Sequence, residues 1–257
     1  QEALTSGDTT DDTALVLSGT NESGSSVMVY KSSTELGAAT VSGTSWSYSA
    51  TVADGTTYQF NVKETDLAGN TSNATTNFVV TGDTTPPTVS SVVIASAAGI
   101  QNDFLNADDN VSVTATFSES VIVDNASGTP ELNLVVGSYS REATYASVDN
   151  STTLVFQYTI QSGDNDTNGI SIGENALDLS GGTIRDPAGN NATLTHSSVD
   201  NNSSYMVDTT APTVDNFTIS DTKLLVGETM RVDLGFSEKV IEFIAADINL
   251  DNATGTL

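Results

Sequence analysis

The fold is decided by a seven-residue stretch that the chain contains twice. Its first copy is Asp83-Thr84-Thr85-Pro86-Pro87-Thr88-Val89, and its second copy is Asp208-Thr209-Thr210-Ala211-Pro212-Thr213-Val214. Proline fixes φ and drives the residue before it into an extended conformation, so we interpret both copies as linkers between domains. These linkers divide the chain into three predicted domains, 1–83, 84–208 and 209–257.

Shorter motifs repeat around these linkers. Phe117-Ser118-Glu119 returns as Phe236-Ser237-Glu238, and Ala68-Gly69-Asn70 returns as Ala188-Gly189-Asn190. A partial copy of the linker, Gly7-Asp8-Thr9-Thr10, stands near the start of the chain. Repeats that recur in one order indicate a tandem array of related domains.

The segments between the linkers have the pattern of β-strands. Val111, Val113, Ala115 and Phe117 alternate with polar residues, and the stretch 230–236 shows the same alternation. Many short strands separated by turn residues are typical of a β-sandwich, so we predict an all-β chain of tandem immunoglobulin-like (Ig-like) sandwiches in an extended array. The third segment holds only about half a sandwich. Either the available sequence ends before the domain does, which we prefer, or strands from elsewhere complete it.

Composition excludes several functional classes. The 257 residues include 7 Lys plus Arg against 33 Asp plus Glu, a formal net charge of −26. Such a charge disfavours nucleic acid and anionic membrane surfaces, and no apolar run is long enough to span a membrane. Zinc is poorly supported by a chain with no Cys and a single His, His196. Because His196 has no recognisable nucleophile partner and Trp46 alternates with Tyr48 like a packed strand, we predict no enzymatic activity.

Topology predicts an acidic cluster at the first linker. In an Ig-like sandwich the turn after the second strand and the turn before the last strand lie at the pole where the chain enters. Glu119 and Asp186 occupy these two turns of the second domain, and the linker contributes Asp83. Carboxylates gathered without Lys or Arg repel one another, and Ca²⁺ relieves this by accepting six to eight oxygen ligands. We therefore predict that Asp83, Glu119 and Asp186 bind calcium.

The same reasoning predicts three further acidic pairings. Asp66 should lie beside Asp8 where the chain enters the first domain, and Glu238 should lie beside Asp208 where it enters the third. At the exit pole of the second domain, Asp164 and Asp166 should face Asp208 together with the residues Asp103, Asp108 and Asp109. The Asp164–Gly169 segment also approaches the spacing of a calcium-binding loop, without the flanking helices of an EF-hand. The alternative, that these residues only form turns and accept backbone N–H groups, stays open.

These motifs resemble the Ig-like repeats of large bacterial and archaeal surface proteins. Asp-Thr-Thr-Ala-Pro linkers, Asp-x-Ala-Gly-Asn loops and Phe-Ser-Glu-x-Val segments are frequent in biofilm-associated and RTX-type adhesins and in related surface-layer (S-layer) domains. The first domain resembles their short repeat, and the second resembles a longer variant through Gly163-Asp164-Asn165-Asp166 and Gly169-Ile170-Ser171-Ile172. The resemblance implies an extracellular location at the cell surface, calcium binding and a structural or adhesive role.

We therefore expect a calcium-stiffened spacer that carries the ligand-binding tip of a surface adhesin away from the cell. The alternative is a self-assembling S-layer or surface-filament subunit. The expected partners are neighbouring Ig-like domains of the same chain and, through lattice contacts or strand complementation, other copies of the chain.

Overall fold

The computed structural model describes residues 3–244 and 247, and it confirms the all-β prediction. Its secondary structure comprises twenty-one β-strands, and the described residues contain no α-helix. The described residues therefore include no helix that is long and apolar enough to cross a membrane. The chain forms two compact units, residues 1–208 and 209–257.

The first predicted domain is a sandwich of two sheets. One sheet has the strand order β1-β8-β7-β3-β4, and the other has the order β2-β6-β5. Leu15, Ala50, Phe60 and Val80 meet between the sheets and form a core of their own. The strands are β1 (Thr9–Thr10), β2 (Ala14–Thr20), β3 (Ser26–Lys31), β4 (Thr34–Ala38), β5 (Thr40–Ser42), β6 (Ser45–Thr51), β7 (Thr56–Thr65) and β8 (Phe78–Gly82).

The second predicted domain is larger and has a separate core. The strands are β9 (Val89–Ala98), β10 (Phe104–Leu105), β11 (Asn110–Phe117), β12 (Ile122–Asp124), β13 (Glu131–Val136), β14 (Tyr139–Asn150), β15 (Thr153–Thr159), β16 (Asn165–Asp166), β17 (Ser171–Asp178), β18 (Thr183–Arg185) and β19 (Met206–Asp208). A six-stranded sheet has the order β17-β13-β14-β15-β11-β9, and smaller sheets join β10-β19-β16 and β12-β18. The alternation predicted for β11 is confirmed, because Val111, Val113 and Ala115 are fully buried.

Both domains contain the same arrangement of strands. A short strand runs parallel to the last strand of its own domain, β1 along β8 and β10 along β19. The next strand, β2 or β11, then enters the second sheet and pairs antiparallel with β6 or β15. This plan makes β2 and β11 equivalent strands.

Hydrogen bonds across the linker join the first two predicted domains into one compact unit. The Asp83 N–H donates to Thr10 O at 2.9 Å, and the Asn190 side-chain amide donates to Asp83 O at 2.9 Å. The Asp11 N–H also donates to Ala188 O at 3.2 Å. The N-terminal segment and the linker of the first domain therefore both contact the second domain.

The second unit repeats the start of the second domain. Its strands β20 (Val214–Ile219) and β21 (Val232–Phe236) are antiparallel, with Val214 opposite Phe236. The same register places Val89 of β9 opposite Phe117 of β11. The repeated linker and Phe-Ser-Glu motifs thus encode one repeated strand pair.

Candidate functional site

Three carboxylates converge at the junction within the first unit. Asp83, Glu119 and Asp186 each present an oxygen, and these oxygens all lie within 4.8 Å of one another. The residues come from the linker, from the turn after β11 and from the turn after β18. The structure therefore brings together the three residues that the topology argument predicted. We call this group the junction cluster.

The turn that carries Asp186 is closed by its own hydrogen bonds. Asp186 Oδ1 accepts the N–H groups of Gly189 and Asn190 at 2.7 and 2.9 Å, and Oδ2 accepts the Asn190 side-chain amide at 2.8 Å. Gly189 has a φ of +113°, a left-handed conformation that glycine adopts without strain. Asp66 and Asn70 form the matching turn of the first domain, where the Asn70 amide donates to Asp66 at 2.9 Å. The turn fixes Asp186, which is only 3% exposed.

A backbone clamp places Glu119. The Ser118 N–H donates to Thr88 O at 2.8 Å, and the Thr88 N–H donates back to Ser118 Oγ at 3.0 Å. Thr213 and Ser237 make the same reciprocal pair in the second unit, each bond being 2.9 Å. The clamp ties the residue after the linker prolines to the residue just before the glutamate. It explains why the linker and the Phe-Ser-Glu motif recur together.

Asp54 holds the linker beside the junction cluster. Its carboxylate accepts the Thr84 N–H at 2.7 Å and the Thr85 hydroxyl at 3.1 Å. These bonds, the Thr84 N–H first, lower the pKa of Asp54. Asp54-Gly55 has the composition of a turn, but no local signal in the sequence shows that this turn reaches the linker.

The junction cluster carries uncompensated negative charge. Burial, and then repulsion from Asp83 and Asp186, raises the pKa of Glu119 above its ordinary value. Within the described residues, none of these three carboxylates forms an ion pair with a Lys or Arg side chain. A bound cation would relieve the repulsion that contributes to the raised pKa of Glu119.

The donor set of the junction cluster fits a calcium ion. Calcium binds carboxylate and carbonyl oxygens at about 2.4 Å, so two oxygens that share one ion lie at most about 4.8 Å apart. The oxygens of the cluster meet that limit. Glu119 has no hydrogen bond to either oxygen among the described residues, while Asp83 uses Oδ1 to accept the Thr85 N–H at 3.2 Å. Hard oxygen ligands without sulfur or imidazole favour calcium over zinc.

The predicted pairing of Asp8 with Asp66 is wrong. Asp8 lies beside the end of β8, where its carbonyl accepts the Thr81 N–H at 3.0 Å. Asp66 follows the far end of β7, whose first residue Thr56 pairs with Gly82. The two residues therefore lie at opposite ends of one sheet. The physical reason is that Thr9–Thr10 forms a strand along β8 rather than a linker.

Asp164 is also misassigned as a metal ligand. It is fully buried, and its Oδ1 accepts Arg141 Nε at 2.8 Å within a salt bridge. Its Oδ2 accepts the Tyr158 hydroxyl and the Gln161 N–H. Burial raises the pKa of Asp164, but the bonds from Tyr158, Gln161 and Arg141 outweigh it and leave the pKa lowered. The arginine supplies the positive charge that the sequence argument assigned to calcium.

Asp166 forms a turn instead of joining an acidic cluster. Its Oδ2 accepts the Gly137 N–H at 2.7 Å, and its Oδ1 accepts the N–H groups of Asn168 and Gly169 at 3.2 and 2.9 Å. These backbone donors satisfy a carboxylate that is only 4% exposed. Likewise Asp109 accepts the Asn106 N–H at 2.8 Å. For Asp166 and Asp109, the alternative that acidic residues at this pole form turns and accept backbone N–H groups is therefore correct.

The remaining predicted ligands belong to different units. Asp208 ends β19, where Asn165 is its partner in the ladder. Glu238 follows β21 in the second unit. That these two residues share an ion stays a prediction.

His196 and Trp46 have structural contacts. His196 Nε2 accepts the Ala176 N–H at 2.8 Å, and Nδ1 lies 2.8 Å from Ser197 O. Both ring nitrogens are thereby engaged with the backbone. The Trp46 indole lies against Gly19, where an added Cβ would be 2.9 Å from the ring. Trp46 thus packs across its neighbouring strand.

Comparison with known proteins identifies Ig-like domains at both ends of the chain. Residues 3–84 match one family described as a bacterial Ig-like domain, and residues 208–257 match a second family with the same description. The chain therefore contains an Ig-like repeat region. No curated protein matches it.

Two solved structures are distantly similar to this chain. The fibronectin(III)-like modules of Clostridium thermocellum CbhA align with 80% of this chain and 90% of theirs, at 13% identity and a TM-score of 0.35. SGBP-B of the Bacteroides ovatus mixed-linkage glucan utilization locus, in complex with a mixed-linkage heptasaccharide, aligns with 81% of this chain and 44% of its own, at 12% identity and a TM-score of 0.23. At these TM-scores neither likeness supports a functional argument.

Proposed function

We propose that this chain is an extracellular, non-catalytic spacer of a cell-surface adhesin, and that calcium bound by the junction cluster stiffens it. The observation that carries the proposal is the convergence of Asp83, Glu119 and Asp186 within 4.8 Å, without a basic partner among the described residues. The bacterial Ig-like domains at both ends support a structural role at the cell surface.

The ligands come from both sides of the junction between the first two domains, which would give calcium its mechanical effect. Asp83 belongs to the linker, whose backbone is bonded to Thr10 of the first domain. Glu119 and Asp186 belong to the second domain. An ion that binds all three removes the freedom of the linker to swing, and it stabilises the ordered junction because it binds that state preferentially.

Net charge gives the second reason for a divalent ion. At −26 the chain repels itself, and this repulsion favours separated and flexible domains when no cation is bound. Calcium sites in extracellular modules bind at roughly 10⁻⁴–10⁻³ M. Such affinity would couple stiffness to the calcium concentration outside the cell.

The repeated linker extends the proposal to two further carboxylates. Asp208 and Glu238 occupy the same positions in their motifs as Asp83 and Glu119. The Thr213–Ser237 clamp is also the same as the Thr88–Ser118 clamp. This correspondence of the motifs is the basis on which Asp208 and Glu238 are also proposed as calcium ligands.

Distance measurements between spin labels test the proposal directly. The chain has no cysteine, so Ser23→Cys and Ser127→Cys would label the first and second domains at exposed positions without background. We expect a narrow distance distribution in calcium and a broad one after chelation. A pair at positions 127 and 147 lies within the second domain and should not respond.

Two outcomes would count against the spacer. An inter-domain distribution of equal width in calcium and chelator would show that the ion does not stiffen the junction. Ordered two-dimensional arrays in electron micrographs of the calcium-loaded protein would favour the S-layer or filament alternative.

A further inference from the structure

The chain enters and leaves the second domain at opposite poles. Strand β9 begins at Val89, opposite the last residue of β11 and next to the turn that carries Glu119, and it ends opposite the first residue of β11. Strand β10, which the short turn 106–109 joins to β11, runs parallel to the last strand, β19. Tension applied through the two linkers therefore pulls β9 and β19 in opposite directions.

These two strands belong to different sheets, so the tension has to cross the domain. Strand β9 is an edge strand of the six-stranded sheet, whereas β19 lies between β10 and β16 in the three-stranded sheet. Apolar contacts between sheets are non-directional, whereas hydrogen bonds have a fixed geometry. The hydrogen bonds that connect the exit strand to the six-stranded sheet are therefore the contacts that oppose sliding of one sheet past the other.

The segment 165–170 holds the exit strand and the residues before it. Its first two residues form β16, which pairs antiparallel with β19. Further along, the Asn202 N–H donates to Ile170 O and the Ile170 N–H donates to Tyr205 O, each at 3.1 Å. Ladder bonds lie across the strand, so a pull along the strand loads them together instead of one after another. We call the segment 165–170 the brace.

Asp166 ties the brace to the six-stranded sheet, and its two oxygens have separate partners. Oδ1 accepts the N–H groups of Asn168 and Gly169 within the brace. Oδ2 accepts the N–H of Gly137, which lies in the turn between β13 and β14, at 2.7 Å. The side chain is shielded from water, which strengthens a hydrogen bond made by a charged group.

Asp164, just before the brace, supplies a second tie to the same sheet. Its carboxylate accepts hydrogen bonds from Arg141 of β14 and from the hydroxyl of Tyr158 of β15. Hydrogen bonds between ionised groups are the strong ones, and this pair is closed off from solvent on the Asp164 side. Together the two aspartates connect the brace to β14, to β15 and to the turn before β14.

We propose that the brace transmits tension from the exit strand to the six-stranded sheet, with Asp164 and Asp166 as its anchors. This role goes beyond the proposed calcium stiffening, because calcium would limit bending at the junction whereas the brace resists extension within the second domain. Its use in a spacer under tension rests on the proposed function. Its geometry involves none of the three residues of the junction cluster.

The Asp166→Asn variant removes one anchor and leaves the turn. The amide oxygen can still accept the N–H groups of Asn168 and Gly169, but the amide NH₂ group then faces the Gly137 N–H, donor to donor. The full chain is held by tags at its two ends and stretched at constant force in chelator. We expect the unfolding rate of the second domain under load to rise about tenfold or more, because an interaction broken in the transition state contributes fully to that rate.

The second domain is recognised in these records by its length. Residues 84–208 outnumber residues 1–83, so unfolding of the second domain releases the longer stretch of chain. Ile184→Val is the control variant, because Ile184 is buried in β18, whose sheet contains neither β9 nor β19. Urea titrations give the loss of stability of each variant. At equal loss of stability, Ile184→Val should change the unfolding rate under load by less than about twofold.

Tyr158→Phe tests the other anchor. It removes the hydroxyl bond to Asp164 and keeps the ring, so it should also speed unfolding under load, and it keeps the test decisive if Asp166→Asn does not fold. Wild-type rates in both anchor variants, or equal rates for an anchor variant and Ile184→Val at equal loss of stability, would overturn the proposal. Because no calcium is present, such results would leave the calcium proposal standing, and a chain that does not bind calcium can still show the brace.

Discussion

Glu119 is the residue whose neutralisation tests the calcium site most sharply, because two opposite effects are expected from one change. Its carboxylate oxygen lies within 4.8 Å of those of Asp83 and Asp186. The Glu119→Gln variant keeps the shape of the side chain and removes its charge. The variant should therefore stabilise the chelated protein and weaken its binding of calcium.

The gain in the chelated protein follows from the spacing. Two like charges at the 4.8 Å limit repel by about 0.9 kcal/mol in the dielectric of water. Glu119 has two such neighbours, which gives about 2 kcal/mol, and salt at about 0.15 M reduces this to roughly 1 kcal/mol. We expect the free energy of unfolding of the chelated variant to rise by about 1 kcal/mol.

The loss in calcium affinity is larger. A carboxylate about 2.4 Å from a divalent ion is attracted by about 3.5 kcal/mol even in the dielectric of water. The amide oxygen of glutamine recovers part of this, so we expect Kd to increase roughly 100-fold. At a calcium concentration of about 100 times the wild-type Kd, binding stabilises the wild type by about 2.7 kcal/mol and the variant by about 0.4 kcal/mol.

Titration calorimetry and thermal melting in calcium and in chelator measure both effects. Glu142→Gln is the matched control, because Glu142 is exposed on β14 and the change in net charge is the same. A calcium Kd within twofold of wild type for Glu119→Gln would refute the assignment of Glu119 as a ligand. A chelated Glu119→Gln protein no more stable than Glu142→Gln would refute the repulsion argument.

Two further predictions concern the contacts around the site. Asp164→Ala should lower the free energy of unfolding by about 3 kcal/mol in urea titrations and leave calcium affinity unchanged, the cost being near the low end for a broken buried pair because Arg141 is 29% exposed. Because the folded-state pKa of Asp164 is lowered, its stabilisation is complete above about pH 4 and is lost as pH falls through the folded-state pKa, so wild type and variant should converge in acid. Asn190→Ala removes the bond to the Asp83 carbonyl as well as the bond within its turn, so it should cost about 1–3 kcal/mol and broaden inter-domain distances. Asn70→Ala removes only the bond within the matching turn, and if it broadened those distances equally the linker bond would not be the cause.

Much of the fold could be predicted because its signals are local. Alternation along 111–117 predicted a strand, and these side chains are buried in β11. The linker prolines and the Phe-Ser-Glu motif predicted a repeat, and the repeat is the β9–β11 pair reproduced by β20–β21. The topology of an Ig-like sandwich also predicted the junction cluster, because the order of the strands fixes which turns lie at the same pole.

For the acidic residues outside that cluster, the sequence could not distinguish metal ligands from carboxylates that are paired within the protein. Asp164 and Asp186 are both acidic residues in turns next to glycine or proline. Asp164 contacts Arg141 and Tyr158, which come from other strands. Asp186 instead lies beside Glu119 and Asp83 of the linker. The chain positions of these partners do not show which turn they will face.

The prediction that Asp8 lies beside Asp66 was wrong for a related reason. Its motif matches the start of a linker, yet a two-residue parallel ladder with β8 places it at the far end of the sheet from Asp66. Two residues in a ladder leave no periodic signal.

The sequence by itself determined an acidic, all-β array of Ig-like domains with linkers at fixed motifs, because strand periodicity and the φ of proline act within a few residues. Only the tertiary structure decided which carboxylates contact a basic side chain, which accept hydrogen bonds from backbone donors and which face one another. Those outcomes depend on pairings between residues far apart in the chain, where a carboxylate is stabilised by whichever partner the packing brings within hydrogen-bonding distance.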